Sequence, residues 1–144
     1  MSGKITDPSI IAALTALRGE DGRIDPEAIV NAARSKNSPL HDQFEWDDGA
    51  AAEQYRIWQA RDLLRVCVTV LPGTSQEIRA FVSLSSEKGY RSTGQVLVNA
   101  NHRSQLLSDA LDDMRRFEAK YRHLSELADV IAAMNRAQKL KLAG

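Results

Sequence analysis

Two short runs set the limits on what this chain can build. "VCVTVL" (66–71) is a β-branched run. In "IRAFVSL" (78–84), Ile78, Ala80, Val82 and Leu84 alternate with Arg79, Phe81 and Ser83. Between them lies "PGTSQE", whose Pro-Gly pair favours a turn. Two such runs around such a loop predict one antiparallel hairpin. The pattern elsewhere is helical, so the chain reads as α+β and predominantly helical.

Three helices precede the hairpin. In "DPSIIAALTALRG", Asp7 caps, Pro8 suits the first turn, Ile10, Leu14 and Leu17 recur at helical spacing, and Gly19 ends the element. "IDPEAIVNAARS" repeats the formula: Asp25 caps, Pro26 opens, and Ile29, Val30 and Ala33 face inward. Pro39 then disfavours helical geometry at Ser38. The third helix is "GAAAEQYRIWQARDLLR". It is read with Ala51, Tyr55, Trp58 and Leu63 near the apolar side and Gln54, Arg56, Gln59 and Arg61 projecting elsewhere.

After the hairpin, "SSEKGYRSTG" reads as a polar, mobile loop, and Thr93 as the cap of a short turn, "GQVLV". The longest element covers roughly 101–141. A heptad laid over it places Leu107, Met114, Tyr121, Ala128 and Asn135 at position a, and Ala110, Phe117, Leu124, Ile131 and Gln138 at position d. Such a stripe suits self-association. Leu107, Met114, Phe117, Tyr121, Leu124 and Ile131 are its candidate contacts, and a homo-oligomer is expected. Tyr and Phe are unusual in a clean two-stranded seam, and a helix lying partly on its own domain explains them equally well. The expected organisation is a helical domain with its hairpin over 1–100 and one long helix over 101–144.

Composition narrows the function. Net charge is zero, with 19 Lys and Arg against 19 Asp and Glu, which argues against a strongly electrostatic nucleic-acid binder. The charge is unevenly spread. Residues 1–53 carry 5 basic and 10 acidic side chains, and residues 54–104 carry 7 and 3. The single cysteine, Cys67, permits no intramolecular disulfide, and it reads as a small buried hydrophobe of a reducing compartment. The start "MSGKITDPS" lacks the apolar core of a signal peptide, and no run of about 18 apolar residues occurs. A cytoplasmic protein with no membrane contact is expected.

No glycine-rich phosphate loop, CxxC, HExxH or EF-hand pattern appears, and no cofactor is expected. The one concentration of reactive groups is "SPLHDQFEWDD", residues 38–48. His41, Asp42 and Glu45 there could hold a divalent cation, as a weakly favoured metal-dependent enzyme would need. The stronger reading is structural. Leu40, Phe44 and Trp46 anchor the segment, and Asp47 or Asp48 caps the third helix; with Asp47 as cap, Trp46 and Ala51 take the positions of a hydrophobic staple. On that reading no residue is catalytic and none is a metal ligand.

Helix, helix, helix, hairpin is also the element order of a winged helix-turn-helix, in which the third helix enters the major groove. The candidate nucleic-acid contacts are Gln54, Arg56, Gln59 and Arg61 on that helix, with Arg79, Lys88 and Arg91 beyond it. The link from Arg34 to Asp48 is far longer than a helix-turn-helix turn, which departs from that pattern.

The segments "SPLHDQFEWDDGAAAEQYRIWQAR", "RAFVSLSSEKGYRS" and "LLSDALDDMRRFEAKYRHLSEL" resemble a group of small uncharacterised proteins of tailed phages and prophages. That resemblance implies a phage-related origin. The expected function is a non-enzymatic DNA-associated accessory or regulatory protein. The rival is a protein-interaction module that recruits a host or phage partner through the helix 101–141 and the loop 85–93.

Overall fold

The computed structural model describes residues 3–47 and 52–143, with side chains through 140. The chain divides into two compact units, Met1–Asn99 and Ala100–Gly144. In the first unit, α1 (Pro8–Thr15) and α2 (Pro26–Ala33) begin as the sequence predicts. The Asp7 carboxylate accepts from the Ser9 amide at 2.9 Å, and Asp25 from the Glu27 amide at 3.0 Å, each with proline in the first turn. The hydroxyl and amide of Ser9 hold the Asp7 carboxyl below its usual range. A one-turn 3₁₀ helix (His41–Gln43) and then α3 (Ala52–Val66) follow. The proposed Asp48 cap and the staple position of Ala51 lie outside the described residues.

The hairpin is present: β1 (Val68–Val70) pairs antiparallel with β2 (Glu77–Arg79), Thr69 opposite Ile78. The run "IRAFVSL" does not stay in that ladder. At Ala80 it changes partner, and β3 (Phe81–Val82) pairs with β4 (Arg91–Ser92). Ala80 serves both ladders: its amide donates to Cys67 at 2.9 Å, and its carbonyl accepts from Thr93 at 2.9 Å.

The loop between β3 and β4 is tied down rather than free. Ile24 and Tyr90 exchange two backbone hydrogen bonds, at 2.7 and 2.9 Å. Gly89 makes this close approach possible: its φ is +86°, and a Cβ there would sit 2.8 Å from the Ile24 carbonyl oxygen. Thr93 is not a cap either. It is the first residue of α4 (Thr93–Val98), and its hydroxyl donates to the Arg79 carbonyl at 2.7 Å.

The core of this unit joins all these pieces. Leu14, Ile24, Ile29, Val30, Leu63 and Leu64 are fully enclosed with Phe81. Each buried aliphatic side chain contributes about 1.5–3 kcal/mol. Cys67 is enclosed among them, and burial pushes its thiol up to about 11. Two results follow. Thiol reagents should label Cys67 in denaturant and leave the native protein largely unmodified. The contribution of the neutral Cys67 thiol to stability should be fully present below the ordinary thiol range near 9 and be lost as pH rises toward about 11. Labelling with and without urea, and unfolding midpoints across that pH window, check both.

In the second unit a long helix, α5 (Ala100–Tyr121), follows the hairpin region. It stops well short of residue 141. Leu124 takes an extended conformation (φ −90°, ψ 105°), a 3₁₀ turn (Ser125–Leu127) intervenes, and α6 (Ala128–Ala143) begins. The Gln138 amide donates to the Leu111 carbonyl at 2.8 Å, and Asn135 reaches Glu118 at 3.4 Å. Thus α6 runs back along α5, and the single 101–141 heptad seam is replaced by a helical hairpin around Leu111 and Ile131. No described helix is long and apolar enough to cross a membrane.

Candidate functional site: the outward face of α3

The segment His41–Trp46 is built as a clamp between α2 and α3. The His41 ring stacks on Trp46, with centroids 5.0 Å apart and planes 7° from parallel. Its Nδ1–H donates to the Ala33 carbonyl at 2.8 Å, and the Trp46 indole donates to the His41 carbonyl at 2.7 Å. The Arg56 and Arg34 guanidinium groups lie 5.1 and 5.8 Å from the Trp46 ring centre. Glu53 joins the two arginines, and the Arg34 hydrogen bond holds its carboxyl below the usual range. Gln59 accepts from the Glu45 amide at 3.2 Å, and Arg56 donates to the Glu45 carbonyl at 3.1 Å. His41 is thus committed to packing through its ring and to the backbone through Nδ1. Among the described residues no group of three or more His, Cys, Asp and Glu side chains gathers as a metal site would.

These contacts redistribute the candidate nucleic-acid residues. Arg56 is only 4% exposed and belongs to the clamp. Arg91 is buried, donating to both Glu87 oxygens and, at 2.8 Å, to the Asp21 carbonyl. Its hydrogen bonds to Glu87 raise its affinity for the proton further. Gln59 is held by Glu45, and Arg79 lies exposed on β2. The other three come together. Gln54 and Arg61 from α3 and Lys88 from the β3–β4 loop line one cleft of about 870 Å³. Its other walls carry Asp21, Asp25, Glu27, Arg23 and Tyr90. The Arg23 amide and side chain hold the Asp21 carboxyl below its usual range.

The structure corrects the expected face of α3. Tyr55 and Trp58 are 50% and 49% exposed, and the helix buries Arg56, Ile57, Ala60, Asp62, Leu63 and Leu64 instead. The physical reason is periodicity. Ile57, Ala60 and Leu64 recur at i, i+3 and i+7 on one face, and Tyr55 and Trp58 fall on the opposite side. There the two rings stack on each other, centroids 5.8 Å apart at 14°. Gln54, Arg61 and Arg65 share that outward surface, with Arg65 paired to the buried Asp62. Counting aliphatic residues alone would have exposed the pair from the sequence.

In the second unit the expected oligomerisation residues scatter. Ile131 is buried, Met114, Phe117 and Tyr121 are half-buried with the last two rings 4.9 Å apart, and Leu107 and Leu124 are exposed. No family model, curated protein or solved structure matches the chain.

Proposed function

We propose that this chain is a non-enzymatic binding module that recognises a partner protein through the outward face of α3. One observation carries the reading: Tyr55 and Trp58 are stacked and half-exposed on a helix whose other side is locked into the core. Tyr, Trp and Arg dominate the residues whose truncation most weakens protein interfaces, and Arg61 and Arg65 stand beside the pair. The rings stack on each other, so part of the side-chain freedom that binding would cost is already given up in that contact. A phage or prophage setting is what the sequence resemblance implies.

A second reading, DNA association, is favoured by the convergence of Gln54, Arg61 and Lys88 on one cleft. It is opposed by Asp21, Asp25 and Glu27, which line the same cleft and would repel phosphates.

The double substitution Tyr55→Ala/Trp58→Ala separates the readings. Both side chains are half-exposed and lie outside the buried core, so the double variant should stay folded, with stability lowered by roughly 1 kcal/mol. Partner recovery in pull-downs from cell lysate is expected to fall at least tenfold, as loss of about 1.4 kcal/mol or more of contact energy requires. Equal recovery by the double variant would overturn the proposal. A low-salt DNA gel shift that Arg61→Ala weakens would establish the second reading in its place.

A further inference from the structure

We propose that the cleft beside α3 takes a segment of the partner protein that carries an acidic and a basic side chain close together. In naming a protein as the ligand, this rests on the α3 reading.

The inference starts from which charges of the cleft are already engaged. Asp21, Arg23, Asp25, Glu27, Arg61 and Lys88 line it. Asp21 and Arg23 form an ion pair, and Asp25 caps α2 through the Glu27 amide. The side chains of Glu27, Arg61 and Lys88 make no hydrogen bond or ion pair among the described residues. The cleft thus offers two unmatched cations and one unmatched carboxylate.

That mixture selects the ligand. A phosphate chain would meet Arg61 and Lys88 but also Asp25 and Glu27, which repel it. An apolar small molecule would take water from the charged walls and match none of them. A peptide can set a carboxylate against the two cations and an ammonium or guanidinium against Glu27. Leu17, Ile57 and Tyr90 supply the apolar part of the lining, against which the aliphatic stems of such side chains pack.

The walls are fixed before any ligand arrives. Two backbone hydrogen bonds between Ile24 and Tyr90 tie the α1–α2 link to the β3–β4 loop. The Gly19 amide donates to the Arg23 carbonyl at 2.9 Å, and the Arg23 guanidinium donates to the Lys88 carbonyl at 3.4 Å. Binding therefore orders side chains and little backbone, which lowers its entropic cost.

The α3 wall sets the length of the segment. Gln54 and Arg61 lie two helical turns apart, about 10 Å along the axis. An extended chain covers that distance in about three residues. Counted around the helix, Ile57, Arg61, Gln54 and Trp58 follow one another within about 100°. The cleft wall therefore runs into the stacked Trp58–Tyr55 pair, and one segment can fill the cleft and continue across the rings. The charges are exposed and screened by salt, so the segment alone binds weakly.

Nuclear magnetic resonance titration of the isotope-labelled full chain at low ionic strength tests this. The probes are the blocked peptides Lys-Ala-Glu, Glu-Ala-Lys, Glu-Ala-Glu and Lys-Ala-Lys. A mixed peptide should move the amides of Gly89 and Tyr90 and bind about threefold or more tighter than either uniform one. Glu27→Lys should turn the preference to Glu-Ala-Glu, and Arg61→Glu/Lys88→Glu to Lys-Ala-Lys. All three side chains are exposed, so both variants should keep the amide spectrum of the folded protein. Equal binding of the four peptides, cleft amides that do not move, or a DNA oligonucleotide that moves them in place of the peptides would each overturn the proposal. If the cleft shows no preference while Tyr55→Ala/Trp58→Ala still loses the partner, this proposal falls and the α3 reading stands. A preference in the cleft with undiminished capture by that variant would support the cleft as the docking site and overturn the α3 reading.

Discussion

Arg91→Ala should destabilise the fold by about 3 kcal/mol, the low end of what breaking a buried ion pair costs. The arginine donates to both carboxylate oxygens of Glu87 and to the Asp21 carbonyl, so three acceptors lose a charged donor at once. The side chains of Arg91 and Glu87 retain 11% and 18% exposure. Water therefore softens the loss, which keeps the figure near the bottom of that range. Arg91→Lys keeps the charge but not the fork, and should cost roughly 1–2 kcal/mol through the lost hydrogen bonds. Urea unfolding followed by far-UV circular dichroism measures both. A loss below 1 kcal/mol for the alanine variant would show that the Asp21–Gly22 turn and the β3–β4 loop hold each other without it.

Trp46→Ala should cost about 3 kcal/mol, at the low end for removing a large aromatic because the ring is only partly buried. The ring contacts His41, Phe44 and two guanidinium groups, and its N–H holds the His41 carbonyl. Trp46→Phe keeps the aromatic contacts and loses the hydrogen bond, so about 1 kcal/mol is expected. The measurement again belongs to circular dichroism, since only two tryptophans supply the fluorescence and one is removed. Equal losses for the two variants would assign the whole effect to the indole N–H.

Much of the architecture was legible from local chemistry. Asp7–Pro8 and Asp25–Pro26 announce helix starts because an aspartate cap and an N-terminal proline act within one turn. The hairpin was legible because β-branched runs flank a Pro-Gly turn. The partner change at Ala80 was not, since nothing in "IRAFVSL" alters its alternation there; it is imposed by Cys67 on one side and Thr93 on the other. The break at Leu124 was equally silent. No glycine or proline marks it, and leucine at a d position fits a continuous helix as well as a turn. In the candidate site, Gln54 and Arg61 could be picked out because polar residues on an amphipathic helix face outward. Tyr55 and Trp58 mislead, because aromatic bulk on an amphipathic helix suggests core while both rings stand half-exposed. Arg56 and Arg91 read as surface cations in the sequence, which does not show which arginines have carboxylates and carbonyls folded around them.

The partner change at Ala80 also limits how related chains can differ in length. A residue inserted between Arg79 and Phe81 would send every following side chain of the strand to the opposite face, withdrawing Phe81 from the core. One inserted between Gly89 and Arg91 would break the exchange with Ile24. The turn from Leu71 to Gln76, outside both ladders and largely exposed, carries neither constraint. Length variation in this region is therefore confined to that turn, and the second hairpin should keep one length wherever the fold is kept.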